Sequence, residues 1–135
     1  MDRPSTVEMR VEAAPEYLIV LRNVAADLAM GRDFDLDSIS DFRIAVDEAC
    51  AILLRLAEPK AVLRCLFHVR TDEIRVHVEV PCSERPVIAQ DTFTWHVLTT
   101  LADSVTTNVT EAAGHSAGFL ASIELTKKPV SAATE

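Results

Sequence analysis

The spacing of apolar residues changes repeatedly along this chain, and each change marks an element. From Thr6 to Val11, Val7, Met9 and Val11 alternate with polar neighbours, which predicts a strand. Pro15 then opens a segment in which Leu18, Leu21, Val24, Ala25 and Leu28 recur with helical period, stopped at Gly31. A second helix starts near the aspartates of Asp33-Phe-Asp-Leu-Asp37. It carries Ile39, Phe42, Ala45, Val46, Ala49, Leu53 and Leu56 along one stripe and is closed by Pro59.

From Val62 the period becomes two. Leu63, Cys65, Phe67 and Val69 share one face, and after a turn at Thr71-Asp72 come Ile74, Val76, Val78 and Val80, so two hairpin-linked strands are predicted. Pro81 to Asp91 reads as a loop with two prolines, and Phe93 to Leu101 as a short helix capped by Asp91 or Thr92. Two final strands run about Ser104 to Thr110 and Phe119 to Thr126, with Gly114 and Gly118 between them, and the tail from Lys127 reads as frayed. The order strand, helix, helix, strand, strand, helix, strand, strand predicts an α+β fold: a two-layer sandwich with a mixed, largely antiparallel sheet and helices on one face. One domain accounts for residues 1–135, with its core about 6–126 and a tail 127–135.

Composition narrows the function class. The formal charge of −8 and a pI near 4.9 work against direct nucleic-acid binding, which needs Lys and Arg to displace counterions. An acidic chain can instead compete for a basic partner. No apolar run approaches the roughly 20 residues of a membrane helix, and Met1 to Ser5 has no signal-peptide pattern, so a cytoplasmic protein is expected. Cys50, Cys65 and Cys82 form no CxxC pair and predict neither a disulfide framework nor a zinc site. Cys82, in the expected loop, is the one that oxidation could reach.

The informative segment is Phe42-Arg-Ile-Ala-Val-Asp-Glu-Ala-Cys50, where Asp47 and Glu48 stand in an apolar helix. On a helical wheel Glu48 lies at the rim of the stripe, beside Asp41 and Ile52, where it either faces a pocket or is a solvated glutamate paired with Arg55. From Asp33 to Glu48 there are six acidic residues and one arginine, more than a helix N-terminus alone accounts for. His68, His77, His96 and His115 have no zinc-ligand spacing, and Trp95 reads as a core residue.

Ala45-Val-Asp-Glu-Ala49 resembles the N box of the GHKL (histidine-kinase-like) ATPase family, in its anti-sigma-factor serine-kinase branch of the RsbW and SpoIIAB type. Phe93 to Val105 looks like the late helix and following strand of that family, and Gly118 to Leu125 like its closing strand. The likeness covers roughly Val7 to Thr126 and is greatest to the mycobacterial sigma-F antagonists. It implies the Bergerat-type α/β sandwich.

The resemblance also assigns roles. Glu48 stands where the family's catalytic glutamate polarises the attacking hydroxyl, but Ile52 replaces the asparagine that holds magnesium, and an aliphatic side chain offers a hard cation no oxygen. The stretch Val80-Pro-Cys-Ser-Glu-Arg-Pro86 lacks the aspartate and glycines that read adenine, and Gln90 to Trp95 lacks the glycine-rich lid. Glu48, Ile52, Cys82 and Glu84 would line such a degenerate pocket. Arg22 matches the family arginine that faces the sigma factor and the antagonist that displaces it.

Two function classes follow. The first is an anti-sigma factor that sequesters an alternative, stress-response sigma factor, forms a homodimer and is released by a STAS-type anti-anti-sigma factor, with no working cofactor. The alternative is an active serine/threonine kinase that uses ATP and Mg2+ to phosphorylate that partner. A free-standing sensory ATPase fragment is a third, weaker class.

Overall fold

The computed structural model describes residues 4–112 and 118–130. Its elements are β1 (Ser5–Glu12), α1 (Pro15–Met30), α2 (Leu36–Leu54), β2 (Val62–Val69), β3 (Ile74–Cys82), α3 (Phe93–Leu101), β4 (Ser104–Glu111) and β5 (Phe119–Lys127). This is the order that the periodicity predicts. Gly114 and His115 lie outside the described residues.

The strands form one sheet in the order β1-β2-β3-β5-β4. Each adjacent pair is antiparallel, so no parallel pair of a mixed sheet occurs among the described residues. Burial explains the order. The inward residues of β3 (Ile74, Val76, Val78, Val80) and β5 (Ala121, Ile123, Leu125) are buried, which suits interior strands, whereas those of β1 and β4 are only half-covered and suit edges.

All three helices pack on that inward face. α1 supplies Leu21, Ala25 and Ala29 to the core, and α2 supplies Phe42, Val46, Ala49 and Leu53. Burying one such Leu, Val or Phe side chain contributes about 1.5–3 kcal/mol, so the stripe of α2 is what fixes the helical layer to the sheet. The opposite face of the sheet has no covering element among the described residues.

Helix ends follow local chemistry. Pro15 sits in the first turn of α1, where a missing N–H costs nothing. Gly31 is right-handed (φ −73), and it is Asp33 that takes the left-handed seat (φ 62) while the Phe34 N–H returns to the Ala29 carbonyl at 3.3 Å. The helix still ends where the glycine predicts, at Met30 with Gly31 as its C-cap, and the left-handed residue falls in the turn that follows. Asp35 caps α2, its carboxylate accepting from the Ser38 N–H at 3.1 Å. Of the two expected caps for α3 it is Thr92 that serves, accepting from the Trp95 N–H at 3.1 Å.

Two expectations need correction. β3 continues through Pro81 to Cys82, whose side chain is 1% exposed, so Cys82 is an inward core residue and not an oxidisable loop thiol. The start of the tail is also tied down. Lys127 ends β5, the Lys128 N–H donates to Asp103 at 2.7 Å, and the Val130 N–H donates to Asp35 at 3.2 Å.

Candidate functional site

In the segment Ala45 to Ala49, Ala45, Val46 and Ala49 are completely buried. The intervening pair, Asp47 and Glu48, is thereby turned to the two borders of the helix. Asp47 meets α1, where its Oδ2 lies 3.9 Å from Arg22 Nη1. Glu48 is half-buried, and its carboxyl is pushed above the ordinary 4.5, first by burial and then by the neighbouring Asp47 charge, with Arg55 opposing. No hydrogen bond or ion pair joins Glu48 to Arg55, which acts on it only through space.

One turn after Glu48, α2 presents Ile52, and Arg55 and Leu56 just past its end join it against the segment that precedes α3. There they line a cleft of about 120 Å³ with Val87 and Ala89, and Thr92 and Thr94 complete its rim. The Thr92 hydroxyl is engaged in capping α3, and Ile88, between the two lining residues of the loop, packs on the core. The cleft is thus apolar in its walls and closed from below by the protein itself.

Of the residues assigned to a degenerate nucleotide pocket, Ile52 lines this cleft and Glu48 stands one helical turn away. Cys82 is in the core with its Sγ 3.8 Å from the Val80 carbonyl, and Glu84 is exposed on the loop, so neither joins them. The lining side chains offer a divalent cation no carboxylate, and among the described residues no three His, Cys, Asp or Glu side chains converge as a metal site. Small-molecule pockets usually enclose about 300–1,000 Å³, well above this volume.

A second surface lies along the seam of α1 and α2. Ile19 precedes Arg22 by one turn and Ile44 precedes Asp47 by one turn, and both isoleucines are exposed, at 49% and 37%. At i and i+3 on their helices, they put exposed apolar area on the same side as the Arg22–Asp47 pair. Sequence reasoning found Arg22 but not Asp47 as its neighbour. The two are 25 positions apart, and only the packing of two helices brings them together.

The open face of the sheet is polar. Glu8 accepts from Arg10 at 2.7 Å and from Arg64 at 3.1 Å, Arg64 reaches Glu79 at 3.5 Å, and His77 contacts Glu79 at 3.0 Å. The two arginines hold the Glu8 carboxyl below its usual range. Outward strand positions carry three arginines (Arg10, Arg64, Arg75) against four glutamates (Glu8, Glu12, Glu79, Glu124), so this face is close to balanced in a chain of net charge −8.

No protein-family model matches the chain. Anti-sigma-F factor RsbW of Mycobacterium tuberculosis is 43% identical over 101 residues, which cover 75% of this chain and 60% of that protein. Serine-protein kinase RsbW of Bacillus cereus is 30% identical over 80 residues, 58% of this chain and 50% of the kinase. The chain therefore spans only about half to three-fifths of the length of these relatives. No helix among the described residues is long and apolar enough to cross a membrane.

Proposed function

We propose, from the likeness to the RsbW proteins, that the chain is an anti-sigma factor, which silences a stress-response sigma factor by binding it and needs no catalysis to do so. The observation that carries this reading is the seam of α1 and α2. There Arg22 is held beside Asp47 next to exposed Ile19 and Ile44, an apolar surface with a charged centre of the kind that protein interfaces use. The acidic balance of the chain suits a partner that otherwise engages polymerase or DNA through basic residues.

Nucleotide handling is weak or lost in this proposal. Ile52 supplies no oxygen where magnesium would sit, and the cleft it lines is too small for a nucleotide as it stands. Release then comes from competition by a STAS-type anti-anti-sigma factor for the same seam. The chain acts in the cytoplasm as a homodimer, and the near-neutral open face of the sheet supports self-association, because two copies can approach there with less repulsion than their acidic helical faces would impose.

The test is transcription with purified components. Stoichiometric chain should repress the cognate sigma-dependent promoter without ATP, and a STAS-type antagonist should relieve it without phosphate transfer. The kinase alternative holds instead if repression or release requires ATP and a serine of the antagonist becomes phosphorylated.

A further inference from the structure

The cleft beside Ile52 combines two features that the sigma-factor reading does not use. Its walls are the side chains of Ile52, Leu56, Val87 and Ala89, and its rim carries Arg55. Among the described residues Arg55 makes no hydrogen bond and no ion pair. In a chain with 21 acidic residues and 13 Lys and Arg, an exposed guanidinium that meets Glu48 only through space, at the mouth of an apolar cleft, is a complementary half-site for an anion with an apolar body.

The dimensions restrict the ligand. An apolar cavity of about 150 Å³ is enough to take one benzene ring, so a cleft of about 120 Å³ that opens at its rim accommodates one small ring or branched chain with its head group outside. Thr94 on the rim, at the first turn of α3, adds a hydroxyl and the positive end of that helix to the same side. Val87 in the wall is 80% exposed, so apolar area is available to cover a bound ligand.

We propose that this cleft binds a small monocarboxylate with an aromatic or branched apolar body, the body against Ile52, Leu56, Val87 and Ala89 and the carboxylate on Arg55. The site stands independently of sigma-factor capture. It is also a different chemistry from ATP, since it offers one cation to one carboxylate and no metal ligand.

Trp95, the only tryptophan, directly follows Thr94 and reports on the site. The experiment titrates the 135-residue chain with benzoate, with neutral benzyl alcohol and, separately, with ATP and magnesium, following Trp95 emission together with methyl and amide chemical shifts. Benzoate should saturate with a Kd of about 1–5 mM, and benzyl alcohol should bind about 10-fold more weakly. Its shifts should be confined to the cleft residues. Arg55→Gln should weaken benzoate about 10-fold and leave benzyl alcohol within about 2-fold, while Arg55→Lys should keep most of the benzoate affinity.

The proposal is overturned if benzoate shows no saturation up to about 20 mM, if the shifts fall elsewhere, or if Arg55→Gln binds benzoate as well as the parent. Saturation of the same residues by ATP and magnesium would count against the loss of nucleotide binding, whatever benzoate does. A negative result with benzoate alone leaves that reading standing.

Discussion

Arg22 on α1 and Asp47 on α2 face each other across the helix seam at 3.9 Å, with 35% of each side chain exposed. A pair this long and this wet adds little to stability, about 0–1 kcal/mol in general, so Arg22 can be changed without unfolding the chain. Arg22→Glu places a like charge beside Asp47 and should lower Tm by no more than about 2 °C. Capture of the sigma factor should nevertheless weaken by clearly more than the roughly 0.5 kcal/mol of an ordinary surface substitution. Melting curves paired with a binding titration separate the two effects, and undiminished capture would remove Arg22 from the interface.

Glu48 carries a raised carboxyl pKa, so its ionised form is penalised in the folded chain. The stability tied to that raised value is fully present below the unfolded pKa, near 4.3, and is lost as pH rises through the folded value. Glu48→Gln removes this loss. Its Tm at pH 7 should exceed that of the parent by about 1 °C, and the difference should vanish below about pH 4. Repression without ATP should be unchanged, because the proposed function makes no use of the carboxylate. If Glu48→Gln relieves repression as strongly as Arg22→Glu, the non-catalytic reading fails.

Ile52→Asn tests whether one residue separates this cleft from a magnesium site. The asparagine adds an amide oxygen, yet the segment from Gln90 to Trp95 still has no glycine from which a phosphate-cradling loop could be built. Calorimetry should find no ATP binding at micromolar concentrations with magnesium present. Micromolar affinity in the variant would mean that the rest of the pocket is intact.

The order of elements was legible because the buried residues alternate so cleanly: Leu63, Cys65, Phe67 and Val69 in β2, and Ile74, Val76, Val78 and Val80 in β3, leave one strand face for the core. The end of β3 was not legible, because Pro81 reads as a strand breaker. In an extended strand the N–H and C=O of a residue point to the same side, and the Pro81 carbonyl takes the Glu58 N–H at 3.0 Å. The missing N–H of Pro81 therefore lies on that side, and the ladder to β5 loses nothing. At the site, helical spacing put Glu48 at the rim of the stripe beside Ile52, while the pocket roles given to both rested on the resemblance of Ala45 to Ala49 to the N box. The approach of Asp47 to Arg22, and of Val87 and Ala89 to Ile52, depends on segments far apart in sequence and has no local signal.

Cysteine reactivity follows from the corrected position of Cys82. Burial pushes the Cys65 thiol up to about 12 and raises those of Cys50 and Cys82 as well, so little thiolate exists at neutral pH. A chromogenic disulfide reagent should titrate less than one thiol in the native chain within minutes and all three after denaturation. Rapid reaction of one native thiol, mapped to Cys82, would reopen oxidation as a release signal.

Asp35 joins two parts of the fold, its Oδ2 capping α2 through the Ser38 N–H and its Oδ1 holding the Val130 N–H. The carboxyl lies below its ordinary range, chiefly because of the Ser38 hydrogen bond. A depressed carboxyl contributes stability that is present above the unfolded pKa, near 3.9, and disappears as pH falls through the folded value. Asp35→Ala removes the cap and the tail contact together and should lower Tm at pH 7 by several degrees, about 3–6 °C. Asp35→Asn keeps a neutral acceptor for Ser38, so its loss at pH 7 should be smaller, and its Tm should converge on that of the parent as pH is lowered below about 4. Thermal melts between about pH 2.5 and 7 decide the point. A constant gap between parent and Asp35→Asn across that range would show that the charge of Asp35 takes no part in holding α2 and the residues after β5 together.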